Sequence, residues 1–145
     1  MTNTNLPVFE HTLSLTNEWL NDVAVALDTD DQHRAYQALR ATLHALRDRV
    51  MPEEAAQLGA QLPLLLRGTY YEGWHPAHKP LKERQVQQFL DHIHVDIPNG
   101  NAEEIVRAVF GVLTVKISAG EIEDVVNMLP AGVRALWPDP ITATG

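Results

Sequence analysis

The 145-residue chain contains no cysteine. That excludes disulfides, thiolate catalysis and cysteine-ligated zinc or iron–sulfur centres. Basic residues are scarce: 11 Lys and Arg stand against 19 Asp and Glu, a formal net charge of −8. Such a chain is repelled by phosphate backbones and by anionic lipid, so neither a nucleic-acid nor a membrane partner is expected. No apolar run approaches the ~20 residues of a membrane-spanning helix. The first residues, MTNTNLPVFEHTL, lack the basic-then-apolar order of a signal peptide. A soluble, cytoplasmic protein is the expectation. Glycine-rich phosphate loops, GxSxG and HExxH are also missing, and no nucleophile stands beside a base. No cofactor is therefore expected.

What is present is helical periodicity. The hydrophobic share of 45% and charged share of 21% suit a globular chain large enough for one core, read as a single domain over 1–145. Phe9, Leu13, Leu20, Val23 and Leu27 recur at steps of three and four, predicting an inward stripe on a helix from Pro7 to Leu27. Thr29 and Gln32 have capping-box spacing ahead of a second helix to about Val50, with Tyr36, Leu39, Leu43, Leu46 and Val50 inward. Pro52 opens a short third helix that stops at Leu62-Pro63, and Leu64 starts a fourth. WHPAHKP, Trp74 to Pro80, reads as a linker. Beyond it, helices are expected over Leu81 to Ile93, Asn101 to Ile117, Ser118 to Leu129 and Pro130 to Trp137. Asn101 with Glu104, and Ser118 with Glu121, have capping-box spacing. The ends, Met1 to Asn5 and 138–145, are expected to be loose.

The pattern occurs twice. Leu129-Pro130 follows Leu62-Pro63 by 67 residues (129 − 62). At that offset Arg40 meets Arg107, Leu46 meets Leu113, Glu54 meets Glu121 and Arg67 meets Arg134. The first helices correspond at an offset of 70 (89 − 19). VRAVFGVLTVKI, Val106 to Ile117, is rich in β-branched residues, yet it aligns with the strongly helical LRATLHALRDRV and is read as helix. The expected fold is all-α: one compact domain of two duplicated four-helix halves, each long, long, short, short. The halves run over 7–74 and 81–137, joined by linker 75–80.

Four segments carry a family resemblance: RAYQALRATLHALRDRV (Arg34 to Val50), PEEAAQLGAQLP (Pro52 to Pro63), LLRGTYYEGW (Leu65 to Trp74) and EIEDVVNMLP (Glu121 to Pro130). Through them the chain resembles the bacterial domain-of-unknown-function 2267 family over nearly its whole length. The resemblance implies an all-helical, duplicated fold. It implies no activity, cofactor or partner, and it brings no catalytic residues. The second half departs from the first where YYEGW is matched only by WPDPI.

Three groups of residues stand out as candidates. Tyr70, Tyr71 and Trp74 gather aromatic rings between Gly68 and Gly73 and their flanks, as a partner-binding surface would or as a core plug would. His33, Arg40, His44 and Arg47 share the second helix's face opposite its stripe, a locally basic strip suited to an acidic partner or a phosphate group. His75, His78, His92 and His94 could bring imidazoles to a metal, with Glu72 or Asp91 as an oxygen ligand, although i,i+2 positions such as 92 and 94 diverge on a helix. Arg67 and Arg134 are expected to bind helix-terminal carbonyls or Glu54 and Glu121. The favoured reading is a non-catalytic module that binds a protein partner or itself through the YYEGW corner and the basic face. The alternative is a small metal- or ligand-dependent enzyme built on the histidines.

Overall fold

The computed structural model describes residues 6–138, all helix, turn and loop, with no strand among them. The expectations for 1–5 and for the tail beyond Pro138 lie outside these residues. Eight α-helices follow in order: α1 (Pro7–Ala26), α2 (Gln32–Arg47), α3 (Pro52–Ala60), α4 (Leu64–Tyr71), α5 (Val86–Asp96), α6 (Ala102–Lys116), α7 (Ala119–Asn127) and α8 (Ala131–Arg134). A single 3₁₀ turn, Pro76–His78, interrupts the linker. No helix of the described residues is long and apolar enough to cross a membrane.

The helix ends follow local chemistry. Asp31 caps α2, its carboxylate accepting from the His33 and Arg34 amides. The expected cap, Thr29, instead accepts from the Asp31 amide at 3.1 Å. Asp28 ends α1 in the left-handed conformation, φ 55, with Thr29 N–H returning to the Ala24 carbonyl. Asn101 caps α6 as its spacing predicts, accepting from the Glu104 amide at 3.1 Å. Ser118 accepts from the Glu121 amide, but the reciprocal half of that box does not form. The Ser118 N–H donates to Gln61 Oε1 at 2.9 Å instead, tying α3 to α7. α5 begins at Val86 rather than Leu81 because the preceding segment crosses the end of α2. There Leu81 N–H donates to the Asp48 carbonyl, and Glu83 pairs with Arg49.

α2 and α6 form the centre and pack on each other, on α1 and on α5. α3 meets α7, α4 lies against α1 and α2, and α8 against α5. The VRAVFGVLTVKI segment is α6, with Val106, Val109, Phe110 and Leu113 buried. α2 is enclosed on more than one side: nine of its sixteen residues are buried, among them Ala35, Ala38, Ala41 and Ala45. The small alanines let neighbouring helices approach on faces the leucines do not occupy. Phe89, Phe110 and Trp137 join in the core, the last two stacked with centroids 3.9 Å apart.

One expectation is reversed. The inward line of α1 is Thr12, Thr16, Trp19 and Val23. Phe9 and Leu13, read from the sequence as inward, are 45% and 38% exposed. The N-terminal part of α1 meets α4 through Thr12, whose Oγ1 accepts from the Leu65 amide at 3.0 Å. With eight residues, α4 is too short to cover the apolar side chains flanking that contact.

Candidate functional site

The basic strip and the aromatic corner meet, because α4 delivers its C-terminus onto α2. Residues 40, 44 and 47 lie at helical steps of four and three and so share one face. Helix C-termini leave carbonyls unpaired, and cations complement them. His44 Nε2–H donates to the Thr69 carbonyl at 2.7 Å. Arg47 donates to the carbonyls of Tyr70 and Glu72, the latter at 2.8 Å, and pairs with Asp48 at 3.2 Å. Arg40 reaches the Glu72 carboxylate at 3.2 Å. Arg47 is 5% exposed, so its guanidinium faces the chain's own backbone rather than solvent. Burial, followed in effect by the nearby Arg47 and Arg40 charges, holds the His44 imidazole below its ordinary range; its bond to Thr69 and the Asp48 charge act the other way. His33 is exposed and stands apart.

The aromatic corner is a plug. Tyr70 is fully buried and its hydroxyl donates to the Ala55 carbonyl at 2.6 Å. Tyr71 lies edge-on to Tyr70, centroids 5.0 Å apart, and Trp74 is 5.4 Å beyond. Tyr71 and Trp74 are half-buried against the core, and the Trp74 indole nitrogen is buried without a partner. Two glycines make the corner possible. At Gly59 a Cβ would lie 2.6 Å from the Tyr71 hydroxyl and 2.9 Å from the Tyr70 ring. Gly73 takes φ 77, which swings Trp74 back over the helix end.

The four histidines do not gather. All are exposed, with His75 and His78 at the 3₁₀ turn and His92 and His94 on α5. His92 Nε2 lies 3.5 Å from Glu83. Among the described residues, the group of metal-capable side chains whose ligand atoms converge is Glu54, Glu121 and Asp124. Sequence reading offered Glu54 and Glu121 as possible partners of Arg67 and Arg134, and no local signal places α3 against α7. The Glu121 carboxyl is pushed up to about 8, first by burial, then by the hydrogen bond and charge shared with Glu54, then by Asp124. Arg67 and Arg134 take the carbonyl alternative. Arg67 donates to Gly59, Ala60 and Leu62, and Arg134 to Asn127 and Leu129.

The linker contributes more than a connection. A cavity of about 730 Å³ is lined by Arg49, His78, Lys79, Lys82, Glu83 and Arg84, closed by Met128 and Pro130. Its carboxylate, Glu83, is engaged by Arg49, which also lies 5.2 Å over the Phe89 ring. The run Lys79, Lys82, Arg84 was the signal, and reading the segment as spacer passed over it.

The family model described as "Uncharacterized conserved protein (DUF2267)" matches residues 16–136. The chain belongs to the DUF2267 family. That agrees with the resemblance seen in the sequence and assigns no activity. No curated protein matches the chain. The matched span includes α2 to α8 in full, so the corner, the linker cavity and the three carboxylates all lie within the family's region. The apolar N-terminal part of α1 lies before it.

Proposed function

We propose that this protein is a non-catalytic helical module that pairs with a second copy of itself through α1 and the start of α4. One observation carries this reading. Val8, Phe9 and Leu13 on α1, and Leu64 and Leu65 on α4, are each 38–57% exposed, and the two helices are joined at Thr12. Phe9 and Leu13 are one turn apart on one helix face, and a two-fold axis would bring that face against its copy. The patch is on the order of 400 Å², so a pair of copies buries roughly 800 Å², typical of a weak, concentration-dependent contact. Sedimentation of the untagged chain over a range of concentrations tests this. A monomer at every concentration up to millimolar removes the proposal.

The partner-binding role first read into Tyr70, Tyr71, Trp74, Arg40, His44 and Arg47 has weaker support, because these groups bond mainly to one another and to the backbone. A role for the linker cavity toward an acidic protein segment has one supporting observation, the cluster of Lys79, Lys82 and Arg84 around it.

The same proposal holds the chain to be one domain of two duplicated halves, 7–74 and 81–137. Supporting it, Arg67 and Arg134 each bond the carbonyls seven and five residues before them. The packing is also reciprocal: α1 meets α6 as α5 meets α2, and α4 meets α1 as α8 meets α5. A fragment ending at Trp74 is expected to stay unfolded alone, since α2 lacks α6 and α3 lacks α7. Circular dichroism of that fragment checks it.

A further inference from the structure

We propose that Glu54, Glu121 and Asp124 bind one divalent cation between α3 and α7, with Ca²⁺ the ion whose shell they fit. Three carboxylates on two helices each offer an oxygen, and these oxygens lie within 4.8 Å of one another. With Ca²⁺–oxygen distances of about 2.3–2.6 Å, ligand oxygens in one shell stand no more than ~5 Å apart. No pair of the three oxygens is therefore too far apart to share one shell. The ligand set is all oxygen, which selects hard cations over Zn²⁺ or Cu²⁺.

Proximity alone would mean little, since acidic clusters are common on an acidic chain. The second observation is burial without a partner. Glu54 and Glu121 are 6% and 7% exposed. Glu54 Oε2 and Glu121 Oε2 are both fully buried, and no N–H or O–H of another residue donates to either. Buried polar atoms ordinarily have partners, and two buried carboxylates whose oxygens come within 4.8 Å need a positive charge or a proton between them. Among the described residues no basic side chain is recorded against this pair: Arg67 and Arg134 are directed to backbone carbonyls. Nor does capping account for Glu121, because Gln61 occupies the Ser118 amide that its carboxylate would otherwise accept.

The two glutamates stand at the third positions of α3 and α7. Asp124 is exposed and one turn further along α7, so it closes the site on the solvent side and leaves room for water ligands. Three carboxylates against a divalent ion leave a single net negative charge. The ion would clamp α3 to α7 at a contact otherwise tied by the Gln61–Ser118 pair.

The test is calorimetric titration of Ca²⁺ into untagged, chelator-treated protein, with Mg²⁺ as competitor and helical circular dichroism to verify folding. One saturable site is expected, with Kd on the order of 10⁻⁴ M, as for sites with few protein ligands. Glu54→Gln and Glu121→Gln, which preserve shape, should each weaken it at least tenfold. Glu123→Gln, an exposed neighbour outside the cluster, should leave it unchanged. Absence of saturable binding by the folded chain at millimolar Ca²⁺ overturns the proposal and leaves the pair sharing a proton only. Binding that survives in both folded glutamine variants also overturns it, because the ion then sits elsewhere on the acidic surface.

Discussion

The Arg47 guanidinium donates to the Glu72 carbonyl at 2.8 Å, and through this bond α2 holds the end of α4. The face that reads in sequence as a basic strip for an outside ligand is the seat of the chain's own helix terminus. With the Tyr70 carbonyl also held, Arg47 completes the corner from inside.

Arg47→Met keeps length and removes the donors, leaving buried carbonyls unpaired. A loss of about 2–4 kcal/mol is expected from a buried, hydrogen-bonded cation. Arg40→Met removes a pair whose members are 37% and 65% exposed, and should cost less than about 1 kcal/mol. Urea denaturation of both variants measures the contrast. Equal effects would contradict the placement of Arg47.

His44 gives stability a pH dependence. Its folded-state pKa is lowered from 6.5, chiefly by burial. The unfolded chain therefore takes up the proton first as pH falls. Stability from this group is present above pH 6.5 and is lost as pH drops through the lowered folded value. His44→Gln should flatten that part of the profile, read as Tm between pH 5 and 8.

Gly59→Ala raises helix propensity by up to about 1 kcal/mol. The added methyl, however, meets the Tyr70 ring and the Tyr71 hydroxyl, and overpacking of this kind costs about 1–3 kcal/mol. Net destabilisation is expected. Gly68→Ala, where a Cβ meets nothing within 4 Å, should instead stabilise. Thermal melts of the two variants should move in opposite directions.

Phe9→Glu and Leu65→Glu should each abolish pairing of copies without lowering Tm, because both positions are exposed in the single chain. Each copy carries −8, so association should strengthen as salt screens the repulsion. Sedimentation at 20 and 300 mM salt reads both effects. Association that weakens with salt would point to charge-driven contact instead.

Much of the fold was legible because its signals are local. Asn101 caps α6, Ser118 caps α7 and the prolines at 63 and 130 set off α4 and α8, since each effect acts within one turn of backbone. The late start of α5 was not legible, because it follows from Leu81 and Glu83 crossing the end of α2. The candidate residues divided similarly. The common face of Arg40, His44 and Arg47 follows from spacing, but their direction onto α4 follows from docking.

By itself, the sequence determined an all-helical chain without cysteine chemistry and the approximate helices. These depend on bonds between near neighbours. Tertiary structure decided which faces are covered. It buried Tyr70 and Arg47, left Phe9 and Leu13 in solvent, and brought Glu54 to Glu121. Periodicity states that a helix has an apolar side, whereas the length and position of the packed partner decide how much of that side leaves water.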